Sequence, residues 1–209
     1  HTAYAAVLQR AYSSADLSVV YPVSRGLAPV LVTAVAAPWT GGPSAIQTLA
    51  LMAVLVGVVL ASRVTWRNLT RARGLWAGGA VASCTAAYTL WDAFAVAELH
   101  VAVVPYMALS SLAQLVLLTI VLGRRRRELP AALAAGWTRA LPIAVLVPAS
   151  YALVLVAMRF GPASVVATSR SLNVVFGVIA GVWLLREPFT RRSMLGVAMI
   201  VVGVLMGDS

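Results

Sequence analysis

The chain has 209 residues, of which 61% are apolar and only 11% are charged, and its mean hydropathy is +0.92. Soluble domains contain about 25% charged residues, so the composition excludes disorder and almost every water-soluble fold. The sixteen basic residues are all arginine, and with six acidic residues they give a net charge of +10. Such a charge often indicates nucleic-acid binding, so its meaning depends on where the arginines lie.

The apolar runs predict one partial and seven complete membrane helices, because a span needs roughly 20 apolar residues. In chain order these are Thr2 to about Arg10, then Leu17–Ala37, Ser44–Ser62, Gly74–Val96, Val101–Gly123, Gly136–Phe160, Ala163–Leu185 and Ser193–Gly207. A membrane barrel would alternate polar and apolar residues, whereas Leu49–Leu60 is continuously apolar. We therefore expect an all-α membrane protein, a multi-pass helical bundle. Since the chain starts at His1 rather than at Met, we interpret it as a fragment.

The arginines are concentrated in connections on one side of these predicted spans. Twelve of the sixteen share that side: Arg10, Arg63, Arg67, Arg71, Arg73, Arg124, Arg125, Arg126, Arg127, Arg186, Arg191 and Arg192. This asymmetry is typical of cytoplasmic loops and predicts that loops 63–73, 124–127 and 186–192 are cytoplasmic. The expected location is a plasma (inner) membrane, where these loops contact lipid head groups. We expect no nucleic-acid partner, because the arginines are spread over separate short loops.

Two arginines lie within predicted spans. Arg25 and Arg170 each fall about one third of the way into an apolar run, where a charge usually faces a protein interior or a water-filled path. The alternative is a structural role, in which each guanidinium binds backbone carbonyls. The pattern of small residues at Gly177 and Gly181 predicts close helix packing.

A repeated pattern relates the two ends of the chain. Four segment pairs match at offsets of 145 to 147 residues: Tyr4–Leu8 with Tyr151–Leu155, Ser18–Val20 with Ser164–Val166, Ser24–Leu27 with Ser169–Leu172, and Gly57–Val58 with Gly203–Val204. The offset crosses five helices, and an odd number inverts the second copy. We therefore expect two inverted five-helix repeats, the first truncated, with about eight of ten helices present. Residues 1–62 would end the first repeat, 63–73 form a basic linker, and 74–209 hold the complete second repeat.

Several segments resemble a known family. Ala15–Pro29 resembles the fourth helix of EamA-type proteins in the drug/metabolite transporter superfamily, and Ala87–Asp92 resembles a motif of the sixth helix in one bacterial branch. Ser169–Asn173, Leu184–Pro188 and a Gly-rich final helix resemble the C-terminal signature of the family. The resemblance implies ten helices in two inverted repeats and export or exchange of small organic solutes.

This chain departs from the family pattern in two ways. The loop Pro38–Pro43 lacks the acid that would correspond to Glu187. Members with ten helices have both termini inside, whereas the arginine distribution here predicts an external C terminus.

Polar residues within the spans are the candidate substrate-binding residues. They are Arg25, Arg170, Ser24, Ser169, Asn173, Tyr21, Tyr88, Trp91, Asp92 and Tyr151. The two arginines could hold a carboxylate through bidentate hydrogen bonds. Asp92 could bind an amine or carry a proton, or it could anchor the helix at the membrane surface with Trp91.

The function predicted is that of a transporter, which moves an amino acid or related metabolite by alternating access as an exporter or exchanger. The alternatives are a multidrug-type cation exporter and a non-transporting helical scaffold. We expect no enzyme activity, cofactor or metal, because no His cluster, Cys pair or hydrolase motif is present. The expected partners are a small-molecule substrate, membrane lipid and a coupling proton, with a homodimer as a further candidate assembly.

Overall fold

The computed structural model describes residues 1–62, 72–123, 129–184 and 190–207. These residues form helices and contain no strand, which confirms the all-α fold class. The helices are α1 (Thr2–Ser14), α2 (Leu17–Thr40), α3 (Ala45–Ala61), α4 (Ala72–Ala93) with a π-helical extension (Phe94–Glu98), α5 (Val103–Leu122), α6 (Leu129–Ala157), α7 (Ala163–Ser169), α8 (Leu172–Leu184) and α9 (Arg191–Gly207). Most arginines of the predicted cytoplasmic loops, together with Glu187, lie outside the described residues.

Five described segments are long and apolar enough to cross a membrane. They are Val19–Thr40, Arg73–Glu98, Val103–Leu122, Gly136–Ala157 and Ala163–Trp183. The other two predicted spans, α3 and α9, are helices of 17 residues each. At a rise of 1.5 Å per residue such a helix is about 25 Å long, at the lower end of the range for a span.

The connection between α2 and α3 is a tight turn built from glycine and a capping box. Helix α2 continues past the predicted end at Ala37 to Thr40, and Gly41 and Gly42 then adopt φ values of +79° and +81°. This left-handed conformation favours glycine. The Ser44 hydroxyl accepts a hydrogen bond from the Gln47 backbone N–H, while the Gln47 side chain accepts one from the Ser44 N–H, which satisfies two donors at the start of α3.

The predicted span Ala163–Leu185 is interrupted, so that it forms the separate helices α7 and α8. The break lies at Arg170 and Ser171, where backbone hydrogen bonds shorten to three-residue spacing. Ser171 N–H donates to the Thr168 carbonyl over 2.9 Å, and Val174 N–H donates to the Ser171 carbonyl over 3.0 Å. This local tightening is of the 3₁₀ type, and it places Arg170 where the helical pattern changes.

The chain divides into two compact units, which we name after their charged residues. The carboxylate unit comprises His1–Thr2 and Asp92–Gly161, and the arginine unit comprises Ala3–Trp91 and Pro162–Ser209. These units follow spatial contacts rather than sequence similarity. The predicted repeats, 1–62 and 74–209, therefore stay a prediction.

The closest helix pair of the arginine unit is α3 against α9, which run antiparallel. A Cβ atom at Gly57 would lie 2.8 Å from the Gly196 carbonyl oxygen, and one at Gly203 would lie 2.8 Å from the Ala50 carbonyl oxygen. Glycine is required at both places because the backbones are nearly in contact. Val54 and Ile200, both almost fully buried, fill the space between these two backbone contacts.

The predicted close packing is not found at Gly177, whereas Gly181 of the same pattern is buried. A Cβ atom added at Gly177 would meet no atom within 4 Å, whereas one at Gly78 of α4 would lie 2.7 Å from Val23 of α2. Small-residue spacing alone therefore does not identify which glycines meet a neighbouring helix.

The carboxylate unit contains two helices with large exposed apolar surfaces. No residue of α5 is buried, and Leu112, Leu115, Val145 and Leu146 are each more than half exposed. Contiguous apolar surface of this kind indicates contact with lipid or another apolar partner.

Candidate functional site

A small cavity in the arginine unit contains both of the arginines predicted within spans. It is lined by Arg25, Ala28, Pro29, Val32, Thr85, Thr89, Ala167, Arg170 and Ser171, and its volume is about 20 Å³. Helices α2, α4 and α7 and the break between α7 and α8 supply these residues. A water molecule needs roughly 10 to 15 Å³, so the cavity accommodates one or two groups of that size.

Arg170 is held by side chains of α4. Its guanidinium donates hydrogen bonds to the Tyr88 hydroxyl over 3.2 Å and to Thr89 Oγ1 over 3.5 Å, and its Cζ lies 5.9 Å from the centre of the Tyr88 ring. Tyr4 packs edge-on against Tyr88, with ring centres 5.3 Å apart. These contacts hold the Arg170 guanidinium against α4.

Arg25 has a different environment from that of Arg170. Its guanidinium lies 5.7 Å from the ring of Tyr21, one helical turn earlier on α2, and this cation–π contact stabilises the charge. No residue of the described part of the chain makes a hydrogen bond or ion pair with Arg25. The half-buried guanidinium therefore keeps its donors available for a ligand.

The cavity also contains a buried hydroxyl that the sequence analysis did not select. Ser171 is only 2% exposed, and its Oγ has no hydrogen-bond partner among the described residues. A buried hydroxyl without a partner costs about 1–3 kcal/mol. Its position beside two arginines indicates that a ligand or a water molecule completes its hydrogen bonding.

A second polar cluster lies in the carboxylate unit around Asp92. The Asp92 side chain is completely buried, and the hydroxyls of Tyr106 and Tyr151 donate to its two oxygens, one to each. His1 Nε2 lies 3.3 Å from the oxygen that Tyr106 contacts, and the His1 ring packs edge-on against Tyr151. Tyr106 and His1 were not among the predicted site residues.

The remaining predicted residues lie outside both clusters. The Ser24 hydroxyl donates to the Tyr21 carbonyl one turn earlier on its own helix, which satisfies it locally. Ser169 does not line the cavity, and Asn173 is exposed. Trp91 is 64% exposed whereas Asp92 is buried, so these neighbours do not share an environment.

A third polar position is Thr33 of α2. Its hydroxyl is buried without a partner among the described residues, and it lines a separate cavity of about 20 Å³ with Gln47, Ser164 and Thr168. The described residues contain no group of three or more His, Cys, Asp or Glu side chains that could hold a metal ion.

Apolar helices of membrane-spanning length define a multi-pass membrane protein, and a small cavity in it is lined by two arginines and three hydroxyl groups together with apolar side chains. The EamA-like transporter family matches the chain over residues 72–206. Because this match covers more than half of the chain, the protein belongs to that family of the drug/metabolite transporter superfamily. Its members are transporters rather than enzymes, in agreement with the sequence-based prediction. No curated protein and no solved structure matches the chain in the corresponding comparisons.

Proposed function

We propose that this protein moves a small organic solute with an anionic group, such as an amino acid or a related metabolite, across the plasma (inner) membrane as an exporter or exchanger. The observation that carries this proposal is the Arg25 guanidinium at the internal cavity, without a hydrogen-bonding partner among the described residues. The bound anion would complete its hydrogen bonds.

The energy of placing a charge in a membrane supports an anionic ligand. An arginine at the centre of a membrane helix costs about 2.5–3.5 kcal/mol on insertion scales, so Arg25 needs compensation from its surroundings. A carboxylate accepts two parallel hydrogen bonds from one guanidinium. Arg25, Arg170 and the Ser171 hydroxyl together offer donors for such a group, whereas a cationic solute would meet positive charge at this cavity.

The size of the cavity supports a mechanism that requires movement. A volume of about 20 Å³ is too small for a whole amino acid, so the solute enters only after the surrounding helices separate. The break between α7 and α8 lies directly at Arg170, and interrupted helices of this type line the binding sites of many transporters. In the proposed alternating-access cycle, this cavity opens to one side of the membrane at a time.

The contact between α3 and α9 supports the proposed inverted duplication. Adding 146 to Ala50, Val54 and Gly57 gives the positions of Gly196, Ile200 and Gly203. Gly57 contacts Gly196 and Ile200, while Gly203 contacts Ala50 and Val54. Each contact therefore has a counterpart with the two helices exchanged, as a two-fold axis between antiparallel copies would produce.

The transport proposal is tested with purified protein in vesicles. Vesicles are loaded with a mixture of metabolites, and exchange of labelled amino acids and carboxylic acids is measured with and without a proton gradient. We expect exchange of at least one anionic or zwitterionic solute. For that solute, Arg25→Ala should raise the half-saturating concentration by more than about tenfold, because hydrogen bonds to charged groups contribute about 1.5–3 kcal/mol.

A matched control separates binding from general charge effects. Arg10→Ala removes an exposed arginine of α1 and should leave exchange unchanged, and Arg25→Lys should restore only part of it since lysine cannot bind a carboxylate bidentately. Unchanged exchange in Arg25→Ala protein that is inserted normally would contradict the assignment. Exchange of organic cations alone would support the multidrug-type alternative instead.

A further inference from the structure

The carboxylate unit contains a titratable cluster that the proposed solute site does not use. Asp92 is a buried acid in the described part of this unit, and it has partners from three other parts of the chain: His1 before α1, Tyr106 of α5 and Tyr151 of α6. The described acids Asp16 and Glu98, by contrast, are exposed. A completely buried carboxylate in a membrane helix is expensive and usually has a function.

We propose that Asp92 is a proton-binding site, at which one proton binds to and leaves the carboxylate while Tyr106, Tyr151 and His1 hold it in place. This inference does not need the solute site. Only its further consequence, that transport is coupled to protons, rests on the proposed function.

The occupancy of the carboxylate oxygens leaves no room for an amine ligand. The oxygen Oδ1 already receives the Tyr106 hydroxyl and the His1 ring nitrogen, and Oδ2 receives the Tyr151 hydroxyl. An ammonium group would have to replace these donors in a space where Asp92 has no exposed surface. A proton needs no additional volume.

His1 provides a path for the proton. Its Nε2 lies 3.3 Å from Oδ1 of the fully buried Asp92 side chain, which is within reach for proton transfer. In the inward step, protonated His1 transfers the proton at Nε2 to Oδ1 of Asp92, and the neutral ring then takes a proton from water. The reverse step returns Asp92 to the carboxylate, so charge and protons balance.

Two other described groups of the unit, Arg159 and His100, have partners of their own. The Arg159 guanidinium donates to the Val101 carbonyl over 2.8 Å, and the His100 ring lies 2.9 Å from the Glu98 carbonyl through Nδ1. The groups described in contact with Asp92 include His1, Tyr106 and Tyr151. Each loses or changes a hydrogen bond when Asp92 becomes neutral.

The backbone beside Asp92 has an unusual conformation. A π-helical segment, Phe94–Glu98, begins two residues after it, and π-helical turns occur frequently at functional sites. His100, just beyond this segment, has a φ of +53°, a left-handed conformation that is uncommon for a residue with a side chain. The end of α4 is thus irregular where the proposed proton site lies.

The test is an infrared titration of the purified protein in lipid, and it needs no solute. A protonated buried carboxyl gives its own C=O stretching band, which shifts when H₂O is replaced by D₂O. We expect this band to appear reversibly as the pH falls, to vanish in Asp92→Asn, and to persist in Glu98→Gln, which removes an exposed acid of the same helical segment. Tyr151→Phe should move both the frequency and the midpoint of the titration.

The outcomes distinguish this inference from the transport proposal. A wild-type protein without a titrating buried-carboxyl band, or an Asp92→Asn protein that keeps it, would overturn the proton site whatever the result with Arg25. If Asp92→Asn does not fold, Tyr106→Phe and Tyr151→Phe retain the acid and must still shift the midpoint. A midpoint that is identical in both tyrosine variants and the wild type would also overturn it.

Discussion

Gly57 of α3 and Gly203 of α9 occupy equivalent places in one antiparallel helix contact. Each leaves room for a backbone carbonyl of the other helix, the Gly196 carbonyl at Gly57 and the Ala50 carbonyl at Gly203, and each added Cβ would lie 2.8 Å from that oxygen. A separation below 3.0 Å is not seen for real Cβ atoms. The packing of the arginine unit therefore depends on the absence of side chains at these positions.

Gly57→Ala is expected to destabilise the protein by about 1–3 kcal/mol, because an added methyl group in a filled interior forces a backbone shift. Gly196→Ala should have a similar effect, since its Cβ would lie 2.7 Å from the Gly57 carbonyl oxygen. The measurement is the free energy of unfolding in detergent micelles, followed by circular dichroism. Gly79→Ala is the matched control, because a Cβ there meets no atom within 4 Å, and equal losses in all three variants would contradict the packing argument.

Ser171→Ala is expected to weaken solute binding without lowering the stability of the protein. Removing a buried hydroxyl without a partner relieves a desolvation cost, so the free energy of unfolding should stay equal or rise by up to about 1 kcal/mol. The affinity for the transported solute should fall by about two- to tenfold, since a neutral hydrogen bond contributes about 0.5–1.5 kcal/mol. Unfolding in micelles and half-saturation of exchange measure the two effects.

Thr33→Val is the control for Ser171→Ala. It removes the other buried hydroxyl without a described partner, which lines a different cavity. The free energy of unfolding of the Thr33→Val protein should change in the same direction as that of Ser171→Ala. Its half-saturating solute concentration should stay the same as that of the wild type. A comparable loss of affinity in both variants would show that Ser171 does not contact the solute.

The helices could be predicted from the sequence because long apolar runs have few alternatives in a membrane. The break at Arg170 could not be predicted, because Ala163–Leu185 is one apolar run. A change to three-residue hydrogen bonding does not alter the hydropathy of the sequence. The missed break also explains a missed site residue. The repeat pattern selected Ser169, but the tightened turn places Ser171 at the cavity and leaves Ser169 away from it.

The partners of Asp92 illustrate a second limit of sequence reasoning. Asp92 and Tyr151 were both predicted site residues, but for separate roles, and they meet only because α4 and α6 place them together. Tyr106 lies in the first turn of α5, where the neighbouring residues are apolar and no pattern of polar residues indicates a site. Contacts across helices depend on packing, and neither periodicity nor spacing within one helix reports them.

Tyr88→Phe is expected to weaken solute binding only slightly, by about two- to fivefold. It removes the hydroxyl that accepts from Arg170, but it keeps the ring over which the guanidinium lies and leaves Thr89 in place. Tyr88→Leu removes the cation–π contact as well, which contributes about 0.5–2 kcal/mol, and should weaken binding further. Exchange kinetics measure both, and Tyr12→Phe on the exposed side of α1 should have no effect.

Tyr151→Phe is expected to lower the free energy of unfolding substantially only while Asp92 is present. Without the Tyr151 hydroxyl, the buried carboxylate loses a hydrogen bond at Oδ2, and hydrogen bonds to charged groups contribute about 1.5–3 kcal/mol. In an Asp92→Asn background the same substitution should cost less, so that the double-mutant cycle gives an interaction energy of about 0.5–3 kcal/mol. Ser150→Ala, at an exposed hydroxyl of the same helix that bonds to the Val147 carbonyl, should be additive with Asp92→Asn. Additivity of Tyr151→Phe with Asp92→Asn would mean that the hydroxyl does not stabilise the carboxylate, and the role of Tyr151 in this cluster would have to be abandoned.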